Sequence, residues 1–184
     1  MSALEVAAKP HLRPMILGPK AQLSAEGQST VALWAALRCI AMEYAHPRTV
    51  AHMPLEWVQH IYETRAIPEA WGVWLGAYYG QSPIGYELID ARLIQENRDL
   101  RSATESGFVA TMIVGHLALK VLGVYQNTVS DPWTETLMPI APVSSALVRW
   151  PPPKIFTDRS LGKLFGTWLS FEPPIVDKLL RGGA

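Results

Sequence analysis

Apolar residues recur with a helical period over the first third of the chain. Val31, Trp34, Leu37, Cys39, Ile40, Ala41 and Tyr44 would line one broad face of a helix over residues 25–45. Ser24 is placed to cap it and Glu26 falls in its first turn. His46 and Pro47 end it, because the residue before a proline avoids the helical region. Ahead of it, the Ala-rich stretch 2–8 predicts a short helix that stops at Pro10. Pro14, Gly18 and Pro19 then break regular structure through Lys20. After it, Pro54 opens another helix, with Leu55, Val58, Ile61 and Tyr62 as its core face and Pro68 as its limit.

The period then changes. Residues 73–79 carry Val, Trp and two Tyr, and 80–83 hold a turn signal. Residues 85–95 alternate without a purely apolar face, which suits an edge strand. A polar connection over 96–106 leads to 107–122, one long strand or two bent at Gly115, with Ile113, Leu117, Leu119 and Val121 on one face. These three segments are expected to form an antiparallel meander. Residues 126–146 look like loop, 147–150 like a short strand entering the Pro151-Pro152-Pro153 run. Thr157 or Asp158 would cap a short helix through about 169, and Pro173-Pro174 would start a last one to about 180. The expected fold is a single α+β domain over 1–184: N-terminal helices packed on a small antiparallel β-meander, with short C-terminal helices.

Composition narrows the classes. The 184 residues suffice for one full core, and 49% hydrophobic with 17% charged residues excludes wholesale disorder. Sixteen basic against sixteen acidic residues leave a formal net charge of +0, which excludes a chain-wide basic surface. The one cysteine, Cys39, rules out an internal disulfide framework and a Cys-based zinc ribbon, and reads as a small buried hydrophobe. The apolar run 108–125 reads as sheet and not as a membrane span: His116 and Lys120 fall inside it, glycines interrupt it, and it is rich in β-branched residues. The first residues lack a signal-peptide pattern, so a reducing cytoplasmic setting is expected.

Candidate chemistry is sparse. Seven tryptophans are many for this length. Trp71 and Trp74, with Tyr78, Tyr79 and Tyr86, would place an aromatic cluster on adjacent strands. Such a face can stack bases or anchor a protein partner, or simply fill the core against the helices. Arg92, with Arg98 and Arg101, would lie near enough for phosphate contacts, diluted by neighbouring carboxylates. His46, His52 and His60 fall within fifteen residues, and Glu56 and His60 share one helix face at i, i+4. These are donor types a metal-dependent hydrolase uses, although the pattern is not HExxH and solvated surface residues explain it equally. His116 is expected mid-strand, as a general base or as a polar-face residue beside Lys120. Asp90, Arg92 and Glu87 would sit on one strand, as a carboxylate site or as ordinary charge pairs. The glycines between 76 and 85 lack a phosphate-loop context.

A resemblance adds a context. Met1-Ser2-Ala3-Leu4-Glu5, Pro10, Leu12, Pro14-Met15-Ile16-Leu17-Gly18, Leu23-Ser24, Gln28 and Val31-Ala32-Leu33-Trp34-Ala35 resemble a group of bacterial and phage proteins with an HNH-endonuclease-like or zinc-binding front end. Trp74-Leu75-Gly76, Phe108-Val109-Ala110-Thr111, Gly115-His116-Leu117 and Trp150-Pro151-Pro152-Pro153 extend the likeness over most of the chain. In that group a Cys-x-x-Cys-Asn…Gly-Trp segment runs into Met-Ser-x-Leu-Glu and then Pro-Met-Ile-x-Gly. The resemblance implies the C-terminal domain of such a protein without its metal-binding HNH part. The family's ligands and catalytic positions lie upstream of Met-Ser-x-Leu-Glu, so none falls on this chain.

The expected function is therefore a non-catalytic interaction domain without a cofactor. It would bind a protein or nucleoprotein partner through Trp71, Trp74, Tyr78, Tyr86 and Arg92, an inhibitor of a host defence complex being one concrete form. The alternatives are a metal-dependent hydrolase at His46, His52, Glu56 and His60, and a nucleic-acid-binding module.

Overall fold

A computed structural model of the chain describes residues 2–45, 53–81, 84–92, 106–124 and 137–160. Helix α1 (Ala3–Leu17) opens on a capping box: the Glu5 N–H donates to Ser2 Oγ at 3.3 Å and the Ser2 N–H to Glu5 Oε2 at 2.8 Å. The helix runs on through Pro10 and Pro14, where the sequence predicts its end. Each proline removes one N–H and crowds the carbonyl four residues back. At Pro10, however, that loss falls on the exposed side, while Ala8, Leu12 and Met15 bury the other side in the core. Packing holds the helix where local rules break it. It closes at Gly18, whose φ of 99° suits a left-handed cap and whose N–H donates to the Pro14 carbonyl.

Helix α2 (Ala25–Ala45) has the expected limits, with Ser24 Oγ accepting from the Gly27 N–H. Within it Gln28 is fully buried. Its Nε2 donates to the Ala146 carbonyl at 2.8 Å and its Oε1 accepts from the Ser144 N–H at 3.1 Å, so one side chain pins a distant loop to the helix. Helix α3 (Leu55–Thr64) forms as expected but turned about its axis. Trp57, Val58 and Ile61 face the core, whereas Leu55 and Tyr62, expected there, are 63% and 55% exposed. At about 100° per residue the buried three share one arc, and Leu55 and Tyr62 lie just beyond its edge, next to Val58. The larger Trp57 takes the inner position, meeting Trp71 edge-on at 5.6 Å between ring centroids.

The main sheet contains β2 (Trp71–Tyr78), β3 (Ile84–Arg92), β4 (Ser106–Val114), β5 (Leu117–Val124), β6 (Met138–Ala141) and β8 (Ile155–Phe156). Its order is β3-β4-β5-β2-β6, with β8 parallel to β2 along the edge that β6 also uses. The meander is β3-β4-β5. The expected neighbour relation of β2 and β3 does not occur, because β2 joins beyond β5. The reason is burial: β2 is apolar on both faces and needs an interior position, while β3 carries charge and takes the edge. The stretch expected as loop before residue 146 contains β6, and a two-stranded ribbon pairs β1 (Ala21–Leu23) with β7 (Val148–Trp150). A 3-10 turn over Asp158–Ser160 begins where a helix is expected. The remainder of that helix and the final one lie outside the described residues.

The three helices cover one sheet face, building the core from Trp71, Val73, Leu75, Phe108, Leu119 and Val121 with residues of α1, α2 and α3. No helix among the described residues is long and apolar enough to cross a membrane.

Candidate functional site

The expected aromatic face is divided between two sides of the sheet and buried on both. Trp71, Trp74 and Tyr78 are only 2%, 4% and 1% exposed. Successive strand residues alternate sides, so Trp71 and Trp74, three apart, cannot share a face. Trp71 packs edge-on to Trp57 and, at 4.7 Å, to Phe108, cementing α3 to the sheet. Trp74 points the other way and lies over Gly72, where any Cβ would meet its ring. Tyr78 donates its hydroxyl proton to Asp158, whose carboxylate also accepts from the Gln81 N–H at 3.1 Å. Tyr86 is partly buried beneath α2, beside Cys39 and Glu43, and burial raises its phenol well above the usual range. Burial likewise raises the Cys39 thiol, which matches a packing role and not a reactive one. Arg92 ends β3. Trp71, Trp74, Tyr78 and Tyr86 therefore act as core and sheet connections and do not make an accessible stacking platform, while the Arg92 side chain lies outside the described residues.

The other expected sites are described only in part. Glu56 and His60 do share the exposed side of α3, but His46 and His52 lie outside the described residues, as do Arg98 and Arg101. Among the described residues no group of three or more His, Cys, Asp or Glu side chains could hold a metal ion.

His116, expected mid-strand, sits in the two-residue turn between β4 and β5. Gly115 before it holds φ 57°, the first position of a II′-type hairpin. The His116 backbone N–H donates to the Ile16 carbonyl at 2.9 Å, satisfying an end group of α1. The ring stacks on Tyr79 at 4.3 Å, and Nδ1 donates to the Tyr78 carbonyl at 3.0 Å. His116 thus clamps three elements together.

Two features escape a reading of the sequence. The first is a polar row across four strands. Glu87 pairs with Thr111, Thr111 with Lys120, and Lys120 with Trp74. Thr111 and Lys120 are buried, on the face away from the helices. Burial pushes the Lys120 ammonium down to about 8 against the pull of Glu87. It also pushes the half-buried Glu87 carboxyl up against the pull of Lys120. The available signal was a lysine set in a strand apolar on both faces.

The second is a groove of about 850 Å³ open along the outer side of α1. Among the described residues it is lined by Glu5, Lys9, Leu12, Arg13, Ile16 and Leu17. Their spacing puts them on one helical face. Leu17 is 62% exposed at one end. Arg38 holds Glu5 in an ion pair and lies over the Trp34 ring at 5.6 Å. Lys9 and Arg13, both exposed, have no ion pair among the described residues. The groove therefore joins an apolar floor to a basic rim, a combination suited to binding an amphipathic surface. It was hidden because the sequence predicts no helix past Pro10.

No known protein family, no curated protein and no solved structure matches the chain.

Proposed function

We propose that the chain is a non-catalytic interaction domain acting in the cytoplasm on a protein or nucleoprotein partner, and that it binds along the outer face of α1. The observation that carries this reading is the groove itself. Exposed apolar side chains are ordinary when scattered. Here Leu17 and the half-buried Ile16 stand beside two cations that have no ion pair among the described residues, in one continuous concavity. The likeness to the C-terminal part of HNH-like proteins supports the same helix. Ser2 and Glu5 close its cap, Met15 is buried beneath it, and Gly18 ends it. Among the positions of that likeness, which runs over most of the chain, are thus residues that cap, bury and end α1.

A photo-reactive amino acid at Leu17, in the full chain expressed in its own host, tests the proposal. The expected result is a covalent adduct to a polypeptide that disappears when Lys9 and Arg13 are both changed to Glu. The same probe at Val143, exposed elsewhere, should give none. No adduct from position 17, or equal adducts from both positions, would overturn the reading.

A further inference from the structure

A surface of opposite charge lies on the same chain. The outward face of α3 carries Leu55 and Tyr62, one above the other at i, i+7, and beside them Glu56 and Glu63 at the same spacing. All four are exposed, and neither glutamate has an ion pair among the described residues. On α1 the order of chemistry is the complement: Lys9 and Arg13 form the basic ridge, with Val6 and Leu17 exposed alongside.

We infer that a second copy of this chain is an occupant of the α1 groove, seating its α3 there with Glu56 and Glu63 against Lys9 and Arg13. This rests on reading α1 as an interaction surface. A chain cannot seat its own α3. The opposite sides of both helices are anchored to one core, α1 through Ala8 and Met15, α3 through Trp57 and Ile61. Both outer strips therefore face away from that core and can meet only between copies. Stable interfaces bury about 1,200–2,000 Å², and one short helix pair lies at the low end, so the association is weak. The apolar contacts supply affinity, while the charges set register and make it fall with salt.

Sedimentation of the full chain, loaded from about 10 to about 500 µM to cover weak small interfaces, tests this. The wild type should gain mass with concentration and lose it in high salt. Lys9→Glu/Arg13→Glu and Glu56→Lys/Glu63→Lys should each weaken association at least about tenfold, the equivalent of about 1.4 kcal/mol. Mixed one to one, each variant again meets opposite charge on the other, and association should return to within about threefold of wild type. That recovery also shows that both variants fold. A wild type monomeric throughout, variants that associate like wild type, or a mixture that does not recover would overturn the inference. A monomeric chain that still gives an adduct to a different polypeptide from position 17 would refute the self-contact alone and leave the interaction reading standing.

Discussion

Replacing Lys120 with methionine removes a buried ammonium from the middle of the sheet while keeping an unbranched apolar stem. Burial holds this amine at about 8, against an ordinary 10.5. At about 1.36 kcal/mol per pH unit, keeping it protonated in the folded state costs about 3 kcal/mol near neutral pH. The sign follows from proton counts. Between about 8 and 10.5 the unfolded chain holds this proton more often than the folded chain does, so raising the pH favours folding. The cost is present in full below the folded value and is relieved as pH climbs toward the unfolded one. Integrated from about pH 7 to about pH 10, the wild type should gain about 2–3 kcal/mol relative to Lys120→Met. Urea denaturation of both proteins at steps across that range measures it. Taking the difference between them cancels the tyrosines and other groups that titrate in common. Parallel pH profiles would refute a buried, destabilised ammonium. A wild type that loses ground as pH rises would show that attraction to Glu87 outweighs burial.

Gln28→Leu should destabilise the fold by about 2–3 kcal/mol in urea, because the Ser144 N–H and Ala146 carbonyl lose their partner inside the protein. Gly115→Ala should lower the melting temperature, corresponding to about 1–3 kcal/mol. Its φ of 57° disfavours any Cβ, and that atom would stand 2.4 Å from the Ile16 carbonyl oxygen. An unchanged melt would contradict the close approach of α1 to the hairpin. Trp71→Ala should cost about 3–5 kcal/mol, the range for emptying a large aromatic site in a core. A change within about 0.5 kcal/mol, usual for surface positions, would return Trp71 to the surface.

The elements most legible in the sequence are those set by neighbours in the chain. The limits of α2 follow from Ser24 and from apolar spacing, and both are local. The end of α1 is not local: Pro10 argues for a stop, and only the burial of Leu12 and Met15 against other elements overrides it. In α3 the period is legible but the choice of face is not, since Leu55-Val58-Tyr62 and Trp57-Val58-Ile61 both fit a helical stripe. Competition for the space beside Trp71 decides between them. Strand order escapes for the same reason, because β2 meets its partners far along the chain. At the site, aromatic density was visible, but the odd separation of Trp71 and Trp74 already divides them between two faces. The α1 groove depended on a helix that local rules deny.

The position of β2 has a consequence for the chain as it is made. Residues 71–78 leave the ribosome early, yet one edge waits for β5 and the other for β6 and then β8. From Tyr78 to Phe156 roughly 80 further residues must be synthesised, which takes about 4–16 s at about 5–20 residues per second. Until β5 is made, roughly 40 residues after Tyr78, a strand apolar on both faces has neither edge paired, and its second edge stays incomplete until β8, which makes it a natural target for chaperones that capture extended apolar segments. A strand buried on both faces in the finished protein is thus left open on the nascent chain.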